Sequence, residues 1–397
     1  MRIKPNSISF TVLFGTIAAL PAFSIDMALP ALPMIGESLD ASSASVGLTL
    51  SLFMLGFATS QLVFGPFSDR YGRKPALLIG CTLFALASAA CAIASSINAL
   101  VAWRLFQGAG AGAGMVLVLA MIRDLFEDTA ARAKLSYVNV VMAVAPMIAP
   151  TIGGGILAIS NWRAIYGFLA VGGLILVLIV AIGLGESMKS RDISALKPRQ
   201  LMGNYLQVLS NRVYLGYAMI NALTFGCMFA YVAGSPLVMI KVLGISTTTY
   251  GLLFALTACS IMAGSFLNGR LTTLGISSAR LLGFGLVLSA TSSVALVIVS
   301  LTGVARVTTL MPLLMINTFC VGIIPPNAIF GAIRLVPEAA GIAAALVGFL
   351  QMLAGAMSSA LIGFLFDGHT AFAMSCVMAL FAITALATYT QCRYYQK

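Results

Sequence analysis

Apolar runs, each long enough to cross a bilayer as a helix, succeed one another along almost the whole of this chain. About 20 residues of helix span a hydrocarbon core of about 30 Å. Breaking the sequence at its charge clusters and its Gly, Pro, Ser and Asn groups places twelve spans, at residues 10–33, 45–67, 76–97, 99–122, 135–159, 165–184, 214–238, 249–267, 281–301, 308–333, 341–366 and 371–389. Composition agrees: 60% of the 397 residues are hydrophobic and 8% charged, against about 45–50% apolar and about 25% charged in soluble domains. The expected class is an all-α polytopic membrane protein, with the lipid bilayer as its solvent. The first run follows Arg2 and Lys4 as a signal peptide would, but it is too long for a signal core and contains Pro21, Asp26, Pro30 and Pro33. It is expected to be retained as a span.

The flanks orient the spans, because Lys and Arg collect on the cytoplasmic side. With the N-terminus inside, 18 of the 22 Lys and Arg fall in inner segments, and Arg163, Lys241 and Arg306 fall in outer ones. That alternation puts both termini in the cytoplasm. It also accounts for a net charge of +11 without a nucleic-acid partner, which would need the basic residues on one solvated face. A bacterial cytoplasmic (inner) membrane protein, functioning as a monomer, is expected.

The longest polar stretch, 186–212, divides the chain into an N-terminal six-helix bundle (1–185), a cytoplasmic linker (186–212) and a C-terminal six-helix bundle (213–397). This is the layout of a parallel repeat whose halves flank a central cavity. Sequence symmetry between the halves is faint: the Gly65 to Lys74 segment finds only an echo in Asn268, Gly269, Arg270 and Gly275.

Several function classes are disfavoured. Seven cysteines are scattered without a CxxC pair and the sole histidine, His369, lies in an expected loop, so no disulfide framework, metal site or His-based catalytic centre follows. An ATP-driven pump would need a G-x-x-x-x-G-K-[ST] loop, which does not occur. A receptor would need a sizeable soluble domain. No enzyme activity and no cofactor are expected.

Four motifs carry a resemblance. After the second span the chain reads Gly65-Pro66-Phe67-Ser68-Asp69-Arg70-Tyr71-Gly72-Arg73-Lys74, which resembles the G-x-x-x-D-R-x-G-R-[KR] signature of the major facilitator superfamily. Ser24-Ile25-Asp26-Met27-Ala28-Leu29-Pro30-Ala31-Leu32-Pro33 in the first span resembles the first-helix motif of the bicyclomycin and chloramphenicol resistance (Bcr/CflA-like) branch of its drug:proton antiporters. Arg104-Leu105-Phe106-Gln107-Gly108 in the fourth is similar to the R-x-x-Q-G pattern. Ala149-Pro150-Thr151-Ile152-Gly153-Gly154 in the fifth is close to the antiporter motif G-P-x-x-G-G, with Ala149 in place of its first glycine. The resemblance implies proton-coupled export of amphiphilic drugs or related small molecules by alternating access, with the proton gradient as energy source. An exporter of one native metabolite (a nucleoside, amino acid or siderophore) and an uncoupled facilitator are the alternatives. The resemblance also implies that Asp69, Arg70, Gly72, Arg73 and Asp124 gate the cytoplasmic side near the start of span eleven.

Charge accounting reaches the same centre without the family. An ion at the bilayer centre costs about 2.5–3.5 kcal/mol even on the lenient insertion scale, so it is a functional candidate by default. Of the 11 Asp and Glu, ten fall in loops, leaving Asp26 within a span, and Arg104 is its only charged counterpart. Both are expected in the outer half of the membrane, either paired or with Arg104 tying down carbonyls of the Pro-broken first helix. Burial favours a neutral carboxyl and a nearby Arg a charged one, so movement of Arg104 or arrival of a substrate would switch Asp26. One such carboxylate predicts one proton per cycle.

Phe23, Met27, Asn139, Met142, Met228, Tyr231, Phe254, Asn317 and Gln351 are the expected cavity-lining residues, a mixture of Met, aromatic and amide groups suited to varied, partly apolar ligands. Pro146, Pro150, Gly153 and Gly154 predict a closely packed, bending interface in the fifth span. Pro325-Pro326 in the tenth leaves bending and static packing equally open.

Overall fold

The computed structural model describes residues 3–188, 198–336 and 339–395. Among the charged residues weighed above, Arg2, Lys189, Arg191, Asp192, Lys197, Glu338 and Lys397 lie outside that set. The described residues are helical throughout, without strands, and 12 helices are long and apolar enough to cross a membrane. The first crossing is composite: α1 (Ile8–Asp26), a 3-10 turn (Leu29–Ala31) and α2 (Leu32–Ser38). Pro30 and Pro33 stand at the starts of the last two, where a missing N–H is tolerated but a continuous α-helix would lose hydrogen bonds. The break therefore falls immediately after Asp26.

α3 (Ser43–Tyr71), α4 (Arg73–Ala92), α5 (Ile97–Leu125), α6 (Asp128–Ile159) and α7 (Trp162–Gly183) follow. The expected charged loop between the second and third spans is instead helix on both sides of one residue, Gly72. Its φ of 109° and ψ of 151° belong to a region essentially reserved for glycine. α6 runs unbroken through Pro146 and Pro150 and begins before its expected start, within the segment read as a loop. α8 (Pro198–Ser210) lies in the linker, which the sequence marks only as polar. The remaining helices are α9 (Arg212–Pro236), continued by a π-helical turn (Leu237–Val242), α10 (Thr247–Thr273), α11 (Ser278–Leu301), α12 (Val307–Ile333), α13 (Ala340–Leu365) and α14 (Phe372–Tyr395). α12 also continues through its prolines, Pro312, Pro325 and Pro326.

Two compact units result, Met1–Leu39 with Leu52–Leu201, and Asp40–Ser51 with Met202–Lys397. Within the second unit the first turns of α3 pack on α13, where Ser359 Oγ donates to the Gly47 carbonyl at 3.1 Å. Each unit contains the same glycine crossing. In the first, a Cβ on Gly56 would strike the Leu105 carbonyl and one on Gly108 the Phe53 carbonyl, so α3 and α5 approach backbone to backbone. In the second, a Cβ on Gly264 would strike the Phe319 carbonyl and one on Gly322 the Ile261 carbonyl, between α10 and α12. Each glycine faces the carbonyl three residues before its opposite number. Small residues let membrane helices approach this closely because lipid supplies little driving force for association.

Candidate functional site

Arg104 sits on α5 with 0% exposure, and Asp26 ends α1 with 7%. Burial of a guanidinium is tolerable only with partners. Arg104 Nη1 donates to Gln107 Oε1 at 2.5 Å and to the Ser24 carbonyl at 3.3 Å. Gln107 Nε2 then donates to Ser88 Oγ on α4 at 2.7 Å, and Ser88 donates to the Phe84 carbonyl at 2.7 Å. The guanidinium carbon also lies 4.3 Å from the Phe53 ring centre and 5.8 Å from that of Tyr166. A planar cation suits both neighbours at once.

Asp26 and Arg104 make no ion pair in this arrangement: the ion pairs among the described residues belong to Arg73. Arg104 instead holds the end of α1 by its carbonyl, the other geometry that the sequence left open. The ending of α1 frees that carbonyl, since the last four C=O groups of a helix lack intrahelical partners. Gly153 on α6 completes the site's wall. It packs on the Met27 backbone, where a Cβ would strike the Met27 carbonyl. Pro150 and Gly154 are buried beside it and Pro146 is half-buried.

The expected cavity residues divide into two groups. Phe23, Met142, Met228 and Gln351 are half-buried and Asn139 is exposed. Met27, Tyr231, Phe254 and Asn317 are instead engaged inside their own units. Tyr231 and Phe254 stack at 5.7 Å, and Tyr231 OH lies 2.9 Å from Thr257 Oγ1. Asn317 Nδ2 donates to Ser293 Oγ at 2.8 Å and Ser289 Oγ at 3.2 Å, while its Oδ1 accepts from Cys227 Sγ at 3.5 Å. Gln351 Oε1 accepts from Asn221 at 3.0 Å.

Where α3 meets α4 in the first unit, Arg73 pairs with Asp69 at 2.6 Å and with Asp124 at 2.9 Å, and donates to Ser68 Oγ at 2.6 Å. Arg70 turns away, over the Tyr71 ring at 5.4 Å. Glu186, just past α7, is the member that sequence reasoning missed. Its carboxylate accepts from the backbone N–H groups of Arg73 at 3.0 Å and Lys74 at 3.2 Å, capping the N-terminus of α4 as charge and orphan donors favour. A Cβ on Gly72 would lie 2.6 Å from Glu186 Oε2. The only sequence signal was an acid directly after an apolar run, which reads equally as a solvated loop charge.

Residues 14–359 match the family model described as Major Facilitator Superfamily. The chain belongs to the major facilitator superfamily. It is 34% identical to the MFS-type transporter YdgK of Bacillus subtilis, covering 95% of this chain and 93% of that one. It is 30% identical to the bicyclomycin resistance protein homolog of Haemophilus influenzae, with 91% and 90% covered. Multidrug resistance protein D of Escherichia coli is 29% identical over 90% of this chain and 89% of its own length. Superfamily members of known structure share the fold. A bacterial homologue of the lysosomal transporter Spinster superposes with a TM-score of 0.78 at 15% identity, covering 99% of this chain and 98% of that one. A D-xylose–proton symporter does so with a TM-score of 0.69 at 16% identity, covering 96% and 97%. As a superfamily member with twelve apolar helices and bacterial relatives, the protein is a multi-pass inner-membrane transporter and not an enzyme.

Proposed function

We propose that this transporter exports amphiphilic drugs or related small molecules in exchange for protons, with Asp26 as the proton carrier and Arg104 as its partner. The observation that carries the reading is the burial of Asp26 at the break of the first crossing, two residues beyond a carbonyl held by the buried Arg104. A buried carboxyl without an ion pair favours its neutral form, and an approaching guanidinium favours release of the proton. Relatives named for bicyclomycin and multidrug resistance support the substrate class. In this reading both termini are cytoplasmic, the units 1–185 and 213–397 move against each other across the linker, and no cofactor is needed. Phe23, Met142, Met228 and Gln351 contact substrate, and the Arg73 cluster closes the cytoplasmic side.

One proton per cycle makes exchange electroneutral for a monovalent cation and electrogenic for a neutral drug, a difference of about 2.3 kcal/mol per 100 mV. Efflux from proteoliposomes under an imposed pH gradient tests the reading. Wild type should drive substrate against its gradient. Asp26→Asn should lose that active transport and keep equilibrium exchange. Full proton-driven export by Asp26→Asn would overturn the assignment.

A further inference from the structure

The Arg104 cluster holds more hydrogen-bonding capacity than it spends. Ser24 Oγ, Tyr166 OH and Trp162 Nε1 are buried without a hydrogen-bond partner among the described residues. The three residues are 0%, 1% and 2% exposed. An unmatched buried polar group costs about 1–3 kcal/mol, so three on residues linked through Tyr166 and Arg104 call for a partner other than protein.

Their placement is directional. Trp162 and Tyr166 stand one turn apart on α7, their rings edge to face at 6.0 Å. Tyr166 faces the Arg104 guanidinium, which reaches the Ser24 carbonyl on α1, two residues before Asp26. The Cys91 thiol and Arg104 are the other ionisable groups beside Tyr166. Trp162 thus adjoins Tyr166, Tyr166 adjoins Arg104, and Arg104 holds the residue of α1 that carries the third orphaned group.

We propose that these groups hold a short file of buried water that carries protons between the outer end of α7 and Asp26. The inference rests on the proton-coupled reading above. Buried water makes about three hydrogen bonds, and the three orphaned groups contribute to them. Tyr and Ser hydroxyls donate and accept, whereas the Trp N–H only donates. Trp162 therefore anchors the first water, while Tyr166 and Ser24 relay. Each relay member breaks its O–H bond towards the next as it forms one from behind, so one proton arrives on an Asp26 oxygen and the file keeps its composition with its hydrogen bonds reversed, to be reset by rotation of the waters and hydroxyls. The positive field of Arg104 keeps an excess proton from resting within the file, leaving Asp26 as the storage site.

Two experiments on the full chain in lipid test this. Millisecond X-ray radiolysis oxidises side chains beside ordered water even where bulk solvent is excluded. Tyr214 is the control, equally buried but with its OH donated to the Ala343 carbonyl at 2.7 Å. Tyr166 should be oxidised about tenfold faster than Tyr214; equal rates would overturn the water file. In proteoliposomes, Tyr166→Phe keeps the ring over Arg104 and removes the relay hydroxyl. Proton-driven export should fall about tenfold, the scale of one hydrogen bond, with equilibrium exchange of substrate retained. Unchanged export would overturn the relay, and so would equal loss of both activities. Should Tyr166→Phe fail to fold, Ser24→Ala is held to the same outcomes. If wild type shows no pH-gradient-driven export, the functional reading fails, while the radiolysis result still decides the water site.

Discussion

The two units build the same polar hub from different chemistry. In the first, a residue on α5 bonds to α4 and α1 through Arg104, Gln107, Ser88 and the Ser24 carbonyl. In the second, Asn317 on α12 reaches Ser289 and Ser293 on α11 and Cys227 on α9. Both hubs stand a few residues before the glycine that crosses the neighbouring helix, Gly108 and Gly322. One hub is charged and holds the Ser24 carbonyl, two residues before the buried Asp26; the other is neutral and bonds hydroxyls, a thiol and a carbonyl. The shared scaffold supports helix packing in each unit, and charge adds a switch to one of them. A cation has alternative anionic and carbonyl acceptors, whereas an amide enclosed by hydroxyls has no comparable second state.

The sharpest way to break this contrast is to swap the hubs' chemistry. Arg104→Lys, which loses the planar fork and the ring contact, should lower proton-driven export at least about a hundredfold, as removal of a buried charge's hydrogen bonds implies. Asn317→Leu should leave the proton stoichiometry unchanged and lower only Tm, measured on the same purified samples. Equal loss of coupling in both variants would end the distinction.

The glycine crossings should instead behave alike. Gly108→Val and Gly322→Val each drive a side chain into a facing carbonyl, with overpacking that typically costs about 1–3 kcal/mol. Comparable falls in Tm are expected; a silent Gly322→Val would show that the second crossing is less closely packed than the first.

The corners after α3 and α10 should differ more modestly. Gly72 and Gly275 both have positive φ, 109° and 84°, so an alanine is strained at either. Only at Gly72 does a new Cβ also meet Glu186; at Gly275 it meets open space. Gly72→Ala should therefore lower Tm more than Gly275→Ala, and shortening Glu186 to Asp in the Gly72→Ala background should recover part of the difference.

The smallest expected effect lies at the corners before the last helix of each unit. In the second unit Asp367 accepts from the Thr370 hydroxyl at 2.6 Å and from the His369 and Thr370 N–H groups, each at 2.9 Å. The Thr370 hydroxyl first, and then those amides, hold its carboxyl below the ordinary aspartate value. Its contribution is present above the unfolded value of about 3.9 and is lost as pH falls through the folded one. In the first unit the neutral Asn161 does the same capping, accepting from Arg163 N at 3.0 Å. Acidification should lower the amide-exchange protection factors of His369 and Thr370, taken relative to the intrinsic rates at each pH, and leave that of Arg163 unchanged.

Much of this was legible in the chain itself. The spans, the isolation of Asp26 and Arg104, and the break of the first helix follow from local rules: hydrocarbon thickness, the cost of buried charge, and proline's missing N–H. Less legible were Glu186, whose role depends on α7 delivering it to the start of α4, and Met27 and Asn317, whose polarity or flexibility reads as cavity-lining until their neighbours are known. The expected loop at Gly65 to Lys74 was misjudged for the same reason. Arg73 pairs with Asp124 on α5, and Glu186 beyond α7 accepts from the first N–H groups of α4, so the segment can remain helical up to one glycine.

The sequence by itself determined twelve helices long and apolar enough to cross a membrane, because lipid penalises every charge and every unpaired backbone group regardless of partner. Only the tertiary structure decided what Arg104 holds, which amides are already spent, and that each unit carries a matched glycine crossing. Those depend on distances between helices far apart in the chain, and no local periodicity encodes them.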